Sequence, residues 1–140
     1  MKNIFVYCII SLVFFSCSSE VNCDEIKYID GISYYNGKKF TGNCSSYFSL
    51  GNLKSRQAYF DGLDNDIWTF YFSNDSIRTK AFFDKGKRIG EWKFYSKNGN
   101  LWKINTYDSI GNPVGFWKTY DTLQRNELLK SESVEMIFGN

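Results

Sequence analysis

The residues of this chain that could carry chemistry are few, and histidine is absent. The chain therefore lacks the commonest general base and the usual partner of a catalytic serine or cysteine. An acidic loop contains Asp61, Asp64 and Asp66, and carboxylate oxygens are ligands that Ca²⁺ prefers. Their spacing is not that of an EF-hand, and aspartate is common in turns for conformational reasons alone. We predict a non-enzymatic protein without a metal site or a cofactor.

The elements that would position any site are short strands, seen best between Gly90 and Tyr107. Trp92 and Phe94 alternate with charged residues, which is typical of a strand with one buried face. Asn98-Gly99 then predicts a tight type I′ turn, because both residues tolerate positive φ. The chain returns through a second segment rich in aromatic and β-branched residues. This stretch is predicted to be a β-hairpin.

The hairpin is one of four repeats, which start at Gly42, Asp66, Gly90 and Gly115 with steps of 24, 24 and 25 residues. The repeat-defining residues are Gly42, Gly90 and Gly115, then Trp68, Trp92 and Trp117, and finally Tyr47, Tyr71, Tyr95 and Tyr120. Cys44 takes the tryptophan position in the first unit. We predict an all-β fold of tandem β-hairpin repeats, about 24 residues each, that form an elongated antiparallel meandering sheet. The repeats occupy residues 32–130, and residues 131–140 form a cap or tail.

The repeat motif, aromatic-x-x-Gly followed by Gly-x-Trp-x-x-Tyr-x-x-x-Gly-x-Leu, resembles a variant of the MORN repeat. It is similar to the form found in bacterial proteins of the YwqK-type antitoxin family. The third unit matches best, whereas the second has Asp66 and Asp75 where glycine is expected, and the fourth has Gln124 at its turn. The resemblance implies a repeat-built sheet and suggests an antitoxin or immunity role.

The first 17 residues have the pattern of a bacterial lipoprotein leader. Lys2 precedes an uncharged, mostly apolar run over residues 4–15, shorter than the roughly 20 residues of a membrane span. The run ends at Ser16-Cys17, which is similar to a lipobox. The alternative is an ordinary signal peptide followed by a coincidental cysteine. We expect a signal peptide over residues 1–16, lipidation of Cys17 and a tether over residues 17–31. This places the protein on the cell envelope, at the outer membrane.

Two cysteines, Cys23 and Cys44, remain after the leader and the lipidated residue are set aside. In an oxidising compartment they could form a disulfide that joins the tether to the first repeat. Alternatively, Cys44 is only a small apolar substitute for the repeat tryptophan. The sequence leaves both possibilities open. A zinc site is disfavoured because the chain has no Cys-x-x-Cys pair.

Composition limits the classes of partner. Aromatic residues make up 19% of the chain and take the place of a conventional core. The 17 basic and 15 acidic residues are interspersed, so we expect no field for nucleic acid and no basic patch for anionic lipid.

The leading functional hypothesis is a lipid-anchored sheet that binds another protein, such as a toxin. The alternative is a lipoprotein that binds carbohydrate or another ligand through its aromatic side chains. We expect the recognition surface on units two and four, which depart from the consensus or add an aromatic residue. The candidate partner-binding residues are Asp61, Asp64, Asp66 and Phe116.

Overall fold

The computed structural model describes the backbone of residues 20–120 and 128–133, and the side chains of residues 20–115 and 117–120. Within these ranges the chain forms strands and one 3₁₀ turn at Cys23–Glu25, without an α-helix. The predicted all-β fold class is confirmed. The leader over residues 1–16, the lipidation site Cys17 and residues 134–140 of the expected cap lie outside the described residues.

The strands are numbered in chain order. They are β1 (Val21–Asn22), β2 (Lys27–Ile29), β3 (Ile32–Tyr35), β4 (Lys38–Lys39), β5 (Gly42–Tyr47), β6 (Leu53–Phe60), β7 (Leu63–Asp64), β8 (Asp66–Tyr71), β9 (Ile77–Asp84), β10 (Lys87–Tyr95), β11 (Leu101–Tyr107), β12 (Phe116–Tyr120) and β13 (Leu128–Ser133).

The described strands form two sheets. The main sheet is a meander in the order β1-β5-β6-β8-β9-β10-β11-β12-β13, with β7 paired to β6. Its pairs are antiparallel, except that β1 runs parallel to β5. A small sheet contains β2, β3 and β4. Because each strand of the meander pairs with the next, residues one repeat apart lie at equivalent places on the same face.

The four repeats share one register. The first residue of units one to three lies opposite an aromatic residue, in the pairs Gly42↔Tyr59, Asp66↔Phe83 and Gly90↔Tyr107. All four hairpins then have a β-bulge immediately before the repeat tyrosine, at Tyr47, Tyr71, Tyr95 and Tyr120. The hairpin of β12 and β13 is therefore a fourth unit, and β13 crosses the expected boundary between repeats and cap at residue 130.

The first residue of each unit has positive φ, which explains the preference for glycine there. The φ angle is 63° at Gly90 and 67° at Gly115, and Asp66 adopts 58° at the equivalent position. Aspartate is one of the few non-glycine residues that tolerate this conformation. The aspartate that departs from the consensus in unit two therefore keeps the repeat's backbone conformation.

The turn predicted at Asn98-Gly99 is not of type I′. Only Gly99 has positive φ (83°), and the loop is closed by two hydrogen bonds. The Ser96 N–H donates to the Asn100 carbonyl, and the Gly99 N–H donates to the Ser96 carbonyl. This wider loop, next to a bulge, needs positive φ at a single residue. Type I′ geometry occurs instead in the connections between units, at Asp61-Gly62 and Lys85-Gly86.

Most of the segment assigned to a tether, residues 17–31, is folded, so that assignment is wrong from Glu20 onward. β1 pairs with the outer edge of β5, and β2 pairs with β3. The small sheet docks on the turn after β6, where the Ser33 N–H donates to the Gly62 carbonyl (2.8 Å). A Cβ atom at Gly62 would clash with Ile32 and lie 2.9 Å from the Ser33 carbonyl oxygen. Glycine is required at this close approach.

Candidate functional site

The main sheet has two faces of different chemistry, set by the alternation of side chains along each strand. One face, which we call the ladder face, carries Tyr59, Trp68, Phe83, Trp92, Tyr107 and Trp117. The other, the tyrosine–lysine face, carries Tyr47, Tyr71, Tyr95 and Tyr120 together with Arg56, Lys80, Lys93 and Lys118.

Rings on the ladder face contact one another in an unbroken series from the first hairpin to the last. The consecutive centroid distances are 5.9 Å (Tyr35–Phe40), 5.5 Å (Phe40–Tyr59), 5.2 Å (Tyr59–Trp68), 4.8 Å (Trp68–Phe83), 5.0 Å (Phe83–Trp92), 5.4 Å (Trp92–Tyr107) and 6.0 Å (Tyr107–Trp117). Neighbouring rings are tilted by 48–65°, the edge-to-face range that aromatic pairs favour. The ladder thus serves as the core of a sheet in which few side chains are fully buried.

Tryptophan in the ladder also links each unit to the one before it. Trp68 Nε1 donates to the Ala58 carbonyl (2.8 Å), and Trp92 Nε1 donates to the Phe82 carbonyl (3.1 Å). In both cases the acceptor lies ten residues earlier, on the second strand of the preceding unit. Phenylalanine could fill the same space but could not donate this hydrogen bond. This explains why the column is tryptophan.

Unit one makes the same link covalently. Cys44 occupies the tryptophan column, is fully buried, and forms a disulfide with Cys23. The two Cα atoms are 5.0 Å apart, within the usual range for a disulfide. The structure therefore has the disulfide, and Cys44 is not only an apolar substitute, although it does occupy the column of the repeat tryptophan.

Cations cover several rings of the ladder face. The Arg88 guanidinium lies 5.2 Å from the Trp92 ring centre, and Lys103 Nζ lies 5.2 Å from that of Trp117. Arg78 lies 5.6 Å from the Phe70 ring centre. These distances allow cation–π attraction, and they leave less ring surface for a ligand to stack on. Folding and stacking account for the side chains of this face.

The tyrosine–lysine face carries a row of tyrosines at the edge of the sheet where the hairpin loops lie. Each tyrosine lies opposite an aliphatic residue, in the pairs Tyr47↔Leu53, Tyr71↔Ile77, Tyr95↔Leu101 and Tyr120↔Leu128. Tyr47 is 51% exposed, whereas Tyr71 and Tyr95 are half-buried. In the part of the chain with described side chains, Tyr47, Tyr71 and Tyr95 make no ring-to-ring contact, unlike the ladder residues. The row is amphipathic and open on one side.

A row of cations runs beside the tyrosines. Direct cross-strand partners trace it through Arg56, Thr69, Lys80, Lys93, Ile104 and Lys118. Arg56 is 3.5 Å from Glu20, and Lys93 is 3.2 Å from Glu91. Lys80 and Lys118 have no ion pair among the described residues. The row therefore aligns four basic residues on this face, and acidic residues pair with two of them.

The signal for the cation row was present in the sequence, because Arg56 and Lys80 are one repeat apart, as are Lys93 and Lys118. Only the strand pairing shows that the two columns merge into one row.

A shallow cleft of about 380 Å³ crosses this face between β6 and β8. Its lining includes Glu20, Asn43, Arg56, Ile67, Thr69 and Tyr71. The Glu20 carboxylate accepts a hydrogen bond from the Ser45 hydroxyl at its margin.

The predicted partner-binding aspartates lie at the connecting end of unit two, away from the cation row. Asp61 is exposed, occupies a type I′ turn and forms an ion pair with Lys39 (3.2 Å). Asp66 is exposed at the start of β8. Asp64 is half-buried opposite Tyr59, and burial raises the pKa of its carboxyl group. Within residues 20–120, no group of three or more aspartate, glutamate or cysteine side chains is placed to hold a metal ion.

Burial, and secondly the charge of Asp64, raise the pKa of the Tyr59 hydroxyl, which donates to Gln57 (2.7 Å).

Phe116 is the remaining predicted partner-binding residue. Its backbone begins β12, and its side chain lies outside the described set. The assignment of the three aspartates and Phe116 to recognition stays a prediction. Turn geometry, however, gives Asp61 and Asp66 a conformational explanation.

Comparison of the chain with protein-family models, curated proteins and solved structures finds no match. Among the described residues there is no helix that is long and apolar enough to cross a membrane.

Proposed function

We propose that this chain is a non-enzymatic, lipid-anchored envelope protein whose repeat sheet binds another protein through the tyrosine–lysine face. One observation carries the proposal: this face places Lys80 directly opposite Lys93. Like charges at directly opposed positions destabilise a sheet. Selection for folding alone does not favour such a pair, whereas selection for binding does.

The tyrosines and Arg56 of this face support a protein partner. Tyrosine and arginine are enriched where proteins bind one another, because each offers a large apolar body with a polar end, whereas lysine is not enriched there. Tyr71 and Tyr95 project from a rigid sheet, so little side-chain freedom is lost when a partner docks. The ladder face is a weaker candidate, since its rings already pack against one another and carry cations.

The proposed anchor restricts where the partner is met. The described structure begins at Glu20, three residues after Cys17, and three residues extend at most about 10 Å. A lipid on Cys17 would therefore hold the first unit close to the membrane surface. The motif similarity to MORN-like antitoxins makes immunity against a toxin outside the cytoplasm the specific form of this proposal.

The binding face is tested by site-specific photo-crosslinking in the native cell. A photoreactive phenylalanine analogue replaces Tyr71 or Tyr95 and, as a matched control, Trp102 on the ladder face, which is 39% exposed. We expect discrete protein adducts from Tyr71 and Tyr95 but not from Trp102. Adducts from Trp102 alone would assign the interface to the ladder face. The absence of protein adducts at all three positions would contradict the proposal.

The anchor is tested separately by metabolic labelling with palmitate in the wild type and in Cys17→Ala. We expect label and membrane retention only in the wild type. Equal labelling of the two proteins would contradict lipidation at Cys17 and leave the binding face unaffected.

Carbohydrate binding is the second candidate, and one observation favours it. The repeat tyrosines lie two strands apart, which is about 9–10 Å, so successive rings could contact a linear polymer. Purified envelope glycans should then bind the wild type and bind Tyr71→Ala less well. This candidate predicts binding that is insensitive to salt and to Lys80→Gln, in contrast to a contact that uses the cation row.

A further inference from the structure

We infer that the partner of the tyrosine–lysine face presents an acidic polypeptide segment in which carboxylates alternate with apolar side chains. This inference rests on the proposed function and specifies its partner. It comes from the charge distribution over the sheet, the geometry of the cation row and the tyrosines beside it.

The charges of the repeats are segregated between strands and turns. Strands β5, β6 and β8–β12 contain nine basic residues and three acidic ones. Asp61, Asp75 and Asp108 lie in turns and loops, and Asp64 ends the short strand β7. The near-neutral total charge therefore conceals strands that are distinctly basic. A ligand that crosses these strands therefore meets mostly basic side chains.

The cation row is only partly neutralised by the protein itself. Glu20 pairs with Arg56 at one edge, and Glu91 pairs with Lys93 from the same strand. Lys80 lies between these two pairs, opposite Lys93, and has no carboxylate partner among the described residues. Lys118, at the other end of the row, is exposed and likewise has none there. A partner carboxylate placed near Lys80 would relieve its repulsion with Lys93 as well as gain an ion pair.

The dimensions fit an extended peptide better than a small anion. From Arg56 to Lys118 the row crosses five strand-to-strand steps, or about 24 Å, which about seven extended residues would span. Tyr71 and Tyr95 form a second line beside the cation row, on the side nearer the hairpin loops. The apolar side chains of the bound peptide, which alternate with its carboxylates, would therefore contact the tyrosine rings. A small anion would use one or two lysines and leave the tyrosine row uncovered.

The test uses the full mature protein and two labelled peptides of about nine residues, one alternating glutamate with leucine and the other glutamine with leucine. Fluorescence anisotropy measures their affinities at low and at high salt. We expect the glutamate peptide to bind and the glutamine peptide to bind at least about tenfold more weakly. We also expect the affinity to fall as salt rises, since the charges are exposed.

Lys80→Glu gives the sharpest contrast, because it should change stability and binding in opposite directions. It replaces a repelling cross-strand pair by an attractive one with Lys93, so the melting temperature should rise. Affinity for the glutamate peptide should nonetheless fall about tenfold. The matched control is Lys97→Glu, which makes the same charge change in an exposed loop and should leave affinity near the wild-type value.

Three results would overturn the inference. The glutamine peptide could bind as tightly as the glutamate peptide, or Lys80→Glu could weaken binding no more than Lys97→Glu. Thirdly, vesicles containing anionic phospholipid could bind in a Lys80-dependent way while the peptide does not, which would assign the row to a lipid surface. If photo-crosslinks from Tyr71 persist in Lys80→Glu, the proposed function stands and only the acidic chemistry of the partner falls.

Discussion

The two faces of this sheet are built from the same repeats but differ in what their side chains do for the fold. On the ladder face, each ring has a packing partner in the neighbouring hairpin, and tryptophan adds a hydrogen bond to the preceding unit. On the tyrosine–lysine face, Lys80 lies directly opposite Lys93, and like charges at such positions do not stabilise a sheet. In a protein without a conventional core, one face can supply most of the stability. The other is then free to vary for binding.

This contrast makes a simple general prediction. Substitutions on the ladder face should change the free energy of unfolding, and substitutions on the tyrosine–lysine face should change binding.

Trp92→Ala should be the most damaging of these substitutions. It removes a ring that packs between Phe83 and Tyr107, together with its hydrogen bond to the Phe82 carbonyl. Truncation of a buried tryptophan costs about 3–5 kcal/mol, and we expect about 3 kcal/mol because Trp92 is half-buried. Urea denaturation followed by far-UV circular dichroism measures the loss. A wild-type unfolding midpoint would show that the ladder is not the core and would favour binding of a ligand by exposed aromatic rings.

Removal of the disulfide should have a similar or slightly smaller effect. Cys23 and Cys44 are 21 residues apart, and closing a loop of this size stabilises the folded state by about 3 kcal/mol. We expect the double substitution Cys23→Ala and Cys44→Ala to lower the midpoint of urea denaturation by a corresponding amount. Added reductant should lower the wild-type midpoint and leave that of the double variant unchanged. If reductant acts equally on both proteins, the disulfide is not what joins the N-terminal segment to unit one.

The sequence was sufficient to predict the parts of the fold that repeat. The columns headed by Gly90, Trp92 and Tyr95 recur at a fixed period, and alternation places Trp92 on a packed face. Both facts depend on local pattern alone, and the structure shows these columns in register. The same alignment placed Cys44 in the tryptophan column.

Features that depend on contacts between distant segments were not predictable in this way. Residues 21–31 are folded because β1 pairs with β5 and because Ser33 approaches Gly62. Neither contact produces a recognisable pattern in the local sequence. Asn98-Gly99 suits a type I′ turn and also the wider loop that forms. The adjoining bulge, which decides between them, is a property of the paired strands. The cation row likewise appears only when columns from successive strands are placed side by side.

Trp92→Phe separates stacking from hydrogen bonding on the ladder face. Phenylalanine keeps an aromatic ring beside Phe83 but cannot donate to the Phe82 carbonyl. The loss of one such hydrogen bond costs about 1 kcal/mol, so this variant should retain most of the stability that Trp92→Ala loses. The same denaturation experiment measures both variants. Equal losses in the two would mean that the indole N–H, and not ring packing, is what joins unit three to unit two.

The smallest of these effects depends on pH and concerns Asp64, which lies beside the ladder residue Tyr59. Burial raises the pKa of the Asp64 carboxyl above its ordinary value of 3.8, so the folded state holds this proton more tightly than the unfolded state does. As pH rises from about 3.8 through the folded-state pKa, the unfolded chain releases the proton first and the folded state loses stability relative to it.

The Asp64→Asn variant cannot ionise at this position, so it should match the wild type at acidic pH and be slightly more stable at neutral pH. The free energy of unfolding at these two pH values measures the difference. Asp84→Asn, which makes the same change at an exposed residue, is the control. If Asp64→Asn is less stable at neutral pH than at acidic pH relative to the wild type, the Asp64 carboxylate contributes to the ladder face as a charged group. Its partner would then have to be sought among the residues around Tyr59.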